Sequence, residues 1–217
     1  MRARRKDWAP HEIETNPLFI ESPQRLSGNW QEFFVNGNPI HLEIGCGMGR
    51  YITQMAEANP EVNFIALERE PNVIVTGART ARESGQHIAF IIGDASELAG
   101  YFSPGEISRV YINFPDPWRN RKKWQKRRLT HASFLQIYKH IMGGTGELFH
   151  KTDNARLFEF SLEQLSQNGF NLRNISLDLH KSDIAGNIMT EYESKFSAQN
   201  KPIYRCEAFY SKTTLNQ

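Results

Sequence analysis

The apolar positions of this chain fall into short runs that end on polar residues, separated by longer segments of mixed character. Runs at 40–44, 63–68, 89–92, 109–113 and 146–150 read as buried strands, four to six residues long and rich in Ile, Val and Phe. Segments 49–58, 71–84, 130–141 and 155–167 between them read as helices, and a short helix is expected over 30–35. Apolar runs at 170–177 and 203–209 look like two closing strands. Strands that alternate with helices imply a parallel sheet covered on both faces. The expected fold is α/β: a doubly wound, mostly parallel, seven-stranded sheet. Residues 1–29 are polar, basic and punctuated by proline, and are expected to form a loosely ordered lead-in to a single domain over 30–217.

Length and composition narrow the class. A chain of 217 residues suits one α/β unit with small additions. It shows no secretory signal and no apolar stretch near 18 residues, so a soluble cytoplasmic protein is expected. Cys46 and Cys206 have no neighbours at metal-ligand or redox spacing, and the seven histidines form no His-x-x-x-His pair. No metal and no disulfide are therefore expected.

The stretch Glu43-Ile-Gly-Cys-Gly-Met-Gly49 ends the first strand. Its glycines allow a sharp turn that approaches a ligand closely, with a helix N-terminus directed into the same space. The spacing is neither a dinucleotide fingerprint nor a P-loop. Glu43 beside the turn would repel a pyrophosphate and suits a cationic ligand, such as a sulfonium carrying a primary amine. The second strand ends in Glu68, placed to bind ribose hydroxyls, and the third leads to Asp94, placed to reach an adenine amino group. Three strand ends in order deliver polar groups to one crevice. Together they resemble the class I S-adenosylmethionine-dependent methyltransferases.

Charge adds a partner. Arg2, Arg4, Arg5 and Lys6 form one cationic segment; Arg119, Arg121, Lys122, Lys123, Lys126, Arg127 and Arg128 form another with no acid between them. These eleven belong to a total of 26 basic residues, so the rest of the chain carries 15 against 24 acids. Cations gathered on an otherwise acidic body point to nucleic acid. Trp118 and Trp124 flank the second run and either stack on bases or pack the run down.

The fourth strand runs into Asn113-Phe-Pro-Asp-Pro-Trp118, where two prolines hold Asn113, Asp116 and Trp118 in place. In class I methyltransferases this strand end faces the transferred methyl group. With Glu43-Ile-Gly-Cys-Gly47, Leu67-Glu68, Gly93-Asp-Ala95, Lys126-Arg-Arg-Leu-Thr130, Lys151-Thr-Asp-Asn154, Thr190-Glu-Tyr-Glu193, Phe196 and Pro202-Ile-Tyr204, the chain resembles the bacterial tRNA (guanine-N7-)-methyltransferases over nearly its whole length. That resemblance implies methyl transfer from S-adenosyl-L-methionine to N7 of guanine 46 in the tRNA variable loop, by a monomer or homodimer. It places the cofactor on Glu43, Gly45, Gly47, Glu68, Asp94 and Asp116, with Asp116 the catalytic group. It assigns the guanosine to Asp153, Thr190, Glu191, Tyr192 and Glu193, and the RNA to the run containing Lys122, Lys123, Lys126 and Arg127.

Two departures from the family pattern stand out. Met48 occupies a position where the family usually has lysine. The loop 118–124 is one residue longer than usual, so the substrate-binding lysine of the family corresponds to Arg121 or Lys122 rather than to Asn120. Thr152 and Asn154 serve either as substrate contacts or as caps of the helix starting at Ala155. Methylation at another RNA position, and an RNA-binding protein of this fold without activity, are the alternatives. Cofactor binding separates the last from the rest.

Overall fold

The computed structural model describes residues 5–84, 87–119 and 121–212. Strands are β1 (Ile40–Ile44), β2 (Asn63–Glu68), β3 (Ile88–Ile92), β4 (Arg109–Asn113), β5 (Thr145–Thr152), β6 (Asn171–Ser176) and β7 (Tyr204–Ser211). Helices are α1 (Ala9–Thr15), α2 (Trp30–Phe34), α3 (Arg50–Ala58), α4 (Pro71–Ser84), α5 (Leu98–Tyr101), α6 (Lys122–Gln125), α7 (Ala132–Met142), α8 (Ala155–Gln167) and α9 (Glu191–Ser197). The sheet runs β3-β2-β1-β4-β5-β7-β6. The pairs among β1 to β5 are parallel, and β7 lies antiparallel between β5 and β6.

This order creates the crevice. From β1 the chain steps outward through β2 to β3, then returns to place β4 on the other side of β1. Successive connections leave β1 and β4 in opposite directions, so a gap opens beyond their C-terminal ends, where open α/β sheets bind ligands. Both faces are covered. Trp30, Phe102, Leu135, Tyr138 and Phe158 fill one core, and Ile52, Phe64, Ile74, Val75 and Phe90 fill the other. Burial on both faces explains why β2 and β3 are nearly continuous apolar runs, while β1 (Ile-His-Leu-Glu-Ile) is wholly buried although it carries His41 and Glu43.

The lead-in is packed where looseness was expected. Within residues 5–29 the chain forms α1 and a 3-10 turn at Pro23–Leu26. Glu12 is buried and takes Arg79 at 3.0 Å and Arg82 at 3.4 Å, both from α4. Phe19 bridges Phe90 in β3, and Trp8 lies under the Arg79 guanidinium at 3.8 Å. These contacts are long-range, and a seven-residue helix has too little local periodicity to announce them. Of the N-terminal cations, Arg2 and Arg4 lie outside the described residues. β5 also runs two residues further than expected, which carries Lys151 and Thr152 into the sheet. No helix among the described residues is long and apolar enough to cross a membrane.

Candidate active site

A cavity of about 1350 Å³ opens at the C-terminal ends of β1, β2 and β4, between the glycine turn and α9. Gly45 and Gly47 have φ of 74° and 59°, a region that L side chains avoid, and both line the cavity. Gly49 serves packing instead, because a Cβ there would stand 2.9 Å from Gly77 Cα; the turn rests directly on α4. Cys46 sits inside this turn, and burial pushes its thiol up, which makes it a filler and not a nucleophile. Met48 is exposed on the rim.

Three acids of β1 to β3 reach the cavity in different states. Glu43 is 2% exposed; its Oε1 accepts a 2.9 Å hydrogen bond from Asn113 Nδ2, and its Oε2 has no partner. Burial lifts this carboxyl to about 7, against the opposing pull of Asn113 and Lys151 and with a further push from Glu68 and Glu191. Glu68, at the tip of β2, accepts from the Arg69 and Glu70 amides at 2.8 and 3.0 Å and from the Gly47 amide at 3.2 Å. Those bonds lock its carboxylate to the glycine turn. Asp94 caps the short turn Ala95–Glu97, and its bonds to the Ser96 amide and hydroxyl hold it below its ordinary pKa.

The loop after β4 is held in an unusual backbone. Phe114 and Trp118, both non-glycine, have φ of 49° and 41°. Such residues cost on the order of 1–3 kcal/mol each and persist where surroundings over-determine them. Arg128 supplies part of that constraint. It is buried, donates from Nε to Pro117 O at 2.8 Å and from Nη2 to Trp118 O at 3.2 Å, and lies over Phe160. Arg128 is therefore a staple of the loop, although its sequence neighbours place it in the surface run. Asp116 stands exposed on the cavity wall and makes no hydrogen bond or ion pair with the described residues.

The basic run divides into two groups. Trp118 and Trp124 stack on each other at 5.5 Å and 10°, with Arg127 over both rings at 4.9 and 4.7 Å. The tryptophans therefore pack the run down, and Arg127 is committed to a cation–π stack. Lys126 and Arg127 line the cavity, whereas Arg121, Lys122 and Lys123 lie exposed on and before α6, outside it. Asn120 is outside the described residues.

Opposite, Asp153 and Asn154 follow β5, and Asn154 is the cap of α8, accepting from the Leu157 amide at 2.9 Å. Thr152 accepts from the Asn154 amide at 3.1 Å. Asn154 is therefore the helix cap, and Thr152, the last residue of β5, braces the turn before it. Thr190 and Glu193 form a capping box on α9. Glu193 is wholly buried, takes Lys151 Nζ at 2.7 Å and Asn187, and does not line the cavity. The expectation that Glu193 holds the guanosine meets a carboxylate that is buried and paired with Lys151, away from the cavity lining. Glu191 and Tyr192 do line the cavity, and burial raises the Glu191 carboxyl. The structure also brings in residues to which the sequence had given no role at the site. Lys6, Phe114, Phe134 and Phe196 line the cavity, and Lys151 ties β5 to the α9 loop through Asn187 and Ile188. Lysine at the polar end of an apolar strand was the available signal for Lys151. Lys6 stood out only as part of the N-terminal cationic segment; its bonds to Asn72 and Thr76 of α4 are what bring it to the cavity.

Among the described residues no cluster of three or more His, Cys, Asp or Glu could hold a metal ion. Residues 37–206 match a family model described as "Putative methyltransferase". A tRNA (guanine-N(7)-)-methyltransferase of Geobacillus thermodenitrificans is 48% identical over 96% of this chain and 97% of its own length. The Bacillus subtilis protein of the same name is 46% identical over 95% of this chain and 98% of its own. Among solved structures, the 16S rRNA methyltransferase KamB shares the fold with a TM-score of 0.62 at 12% identity, covering 85% of this chain and 92% of that one. A 16S rRNA (adenine(1408)-N(1))-methyltransferase with cosubstrate SAM, from Catenulisporales acidiphilia, matches with a TM-score of 0.57 at 13% identity over 86% of this chain and 92% of that one.

Proposed function

The chain belongs to the tRNA (guanine-N(7)-)-methyltransferase family and is an S-adenosylmethionine-dependent methyltransferase, and from that premise we propose how its residues carry the reaction. The base is guanine 46 of the tRNA variable loop. One observation supports this reading above the others. A single cavity joins the acids of β1 to β3 on one wall to Asp116, Asp153 and Glu191 on the other, with Lys126 and Arg127 at its rim.

The cofactor fits the first wall. S-adenosylmethionine supplies an electrophilic methyl on a sulfonium, together with an ammonium group. The unpartnered Oε2 of Glu43 is a buried acceptor, and an ammonium would supply its missing hydrogen bond and hold the carboxyl in its ionised form. Glu68 and Asp94 are pre-set by backbone amides for the ribose and adenine. A volume of about 1350 Å³ exceeds the usual range of about 300–1,000 Å³ for one ligand, so cofactor and base fit together.

The second wall handles the base. Guanine N7 carries a lone pair and no proton, so no general base is needed. As the N–C bond forms the C–S bond breaks, its electron pair stays with sulfur, and positive charge passes to the purine. Asp116, held in a rigid loop beside that event, stabilises the developing charge, and alignment supplies the rest. Asp153 and Glu191 accept hydrogen bonds from the base's N1–H and amino group. A guanine within folded tRNA must leave its stack to reach the cavity. Lys122, Lys123 and Lys126 hold the phosphates, and the enzyme works in the cytoplasm as a monomer or homodimer.

The test is analysis of modified nucleosides after reaction with a tRNA transcript. We expect 7-methylguanosine as the product, and none when guanine 46 is replaced by adenine. A different methylated nucleoside would move the reading to another RNA position. Absence of product despite cofactor binding would overturn it.

A further inference from the structure

Phe114 has no part in the chemistry proposed for the two walls, yet its placement is costly. It follows Asn113 directly at the end of β4, with φ of 49° and a proline next in the chain. Both features disfavour an L residue there. The conformation turns the Phe114 ring toward α9, where its centroid lies 6.3 Å from that of Tyr192 with the planes 20° apart. Tyr192 in turn lies 6.2 Å from Phe196. All three rings line the cavity. α9 is inside-out by the rules of core packing: it buries Glu193 and leaves Tyr192 61% exposed. An aromatic ring that exposed contributes little to the core, so its value lies in what it can contact.

On the reading that the substrate is a guanine drawn out of tRNA, we infer that Phe114 and Tyr192, continued by Phe196, form the aromatic surface on which that base stacks. Hydrogen bonds that the base donates to Asp153 and Glu191 fix its rotation within its plane, and stacking fixes the plane itself. Together they aim the N7 lone pair. The surface also acts selectively on the reaction, because a purine gains positive charge as N7 is alkylated and the face of an aromatic ring attracts cations. Phe114 and Tyr192 are substrate-positioning residues, and Arg128 supports them by holding the loop from behind.

The test uses a tRNA transcript in which 6-methylisoxanthopterin, a fluorescent guanine analogue that keeps the N1–H and amino group and is quenched by stacking, replaces the guanosine that the wild-type enzyme methylates. Bound to wild type it should stay quenched, and bound to Tyr192→Leu or Phe114→Gly it should brighten. Glycine keeps the left-handed backbone at 114 without strain, so Phe114→Gly removes the ring and spares the loop. With unsubstituted tRNA at saturation, both variants should lose about 5- to 150-fold in single-turnover rate, the range that base–aromatic stacking spans. Affinities for cofactor and tRNA should stay within about threefold, and Tyr192→Phe should restore the rate. Wild-type rates and quenching in both variants would overturn the inference, as would a rate loss traced to weaker cofactor binding or not rescued by phenylalanine. Failure of wild type to methylate the transcript would instead defeat the reading on which the inference rests.

Discussion

Replacing Glu43 by glutamine should stabilise the cofactor-free protein near neutral pH and weaken its hold on the cofactor. The carboxyl is 2% exposed and is lifted by burial to about 7 from an ordinary 4.5. Between those values the folded protein binds more protons than the unfolded chain, so its stability falls as the pH rises through that window. At about 1.4 kcal/mol per pH unit, the full cost of ionising Glu43 is roughly 3 kcal/mol, reached above about pH 7. Glutamine keeps an oxygen for Asn113 Nδ2 and cannot ionise. Its advantage over wild type should therefore grow from pH 4.5 to pH 7 and then level off. Nearby Lys151, Glu68 and Glu191 remain in both proteins. Urea unfolding midpoints of both proteins at pH 5, 6, 7 and 8 measure the difference. Cofactor binding should move the other way. Losing a charge-assisted bond costs about 1.5–3 kcal/mol, or roughly 10- to 150-fold at pH 7.5. Wild-type affinity should fall toward pH 5, and that of the variant should be flat. A stability difference independent of pH would show that Glu43 ionises in the folded protein as readily as in the unfolded chain and would refute the reasoning.

Glu68→Ala should weaken the cofactor by about 30- to 150-fold, two lost hydrogen bonds at about 2–3 kcal/mol together; calorimetry showing wild-type affinity would remove it from the site. Changing Lys122, Lys123 and Lys126 to alanine should lower the log–log salt slope of tRNA binding by roughly 0.7–0.9 for each phosphate that is no longer neutralised, with cofactor affinity intact. A wild-type slope would mark these lysines as a solvated face. Asp116→Asn should cut the single-turnover rate by about 10²- to 10³-fold at saturating tRNA while tRNA affinity holds, and an unchanged rate would shift the catalytic assignment to Asp153 or Glu191. Lys151→Met should cost about 3–5 kcal/mol in denaturant unfolding, because the wholly buried Glu193 would lose its lysine and keep only Asn187, the Thr190 amide and the nearby His180. Adding Glu193→Leu should recover much of that loss, and no recovery would argue against the pair.

The order of strands and helices is legible in the amino-acid sequence. Burial on both faces favours short apolar runs, continuous in β2 and β3 and in the middle of β4, and helices must separate parallel strands, so the alternation of elements is readable along the chain. The acids at the ends of β1 and β2 and just beyond β3 are equally readable, because a strand end is a fixed geometric place. What each acid does there is not. Glu43, Glu68 and Asp94 look alike as letters, yet one is buried with an unpaired oxygen, one is clamped by three amides and one caps a turn. The same holds for Thr190-Glu-Tyr-Glu193, where two of four residues face inward to make a cap and an ion pair, and for Arg127 and Arg128, adjacent cations of which one joins a tryptophan stack and the other staples a loop. Local sequence determines which way the backbone goes, since propensity, periodicity and turn chemistry act over a few residues. Whether a charge meets solvent, a ligand or a partner depends on contacts between segments far apart in the chain, such as Lys151 with Glu193 and Glu12 with Arg79. Only the tertiary fold decides those.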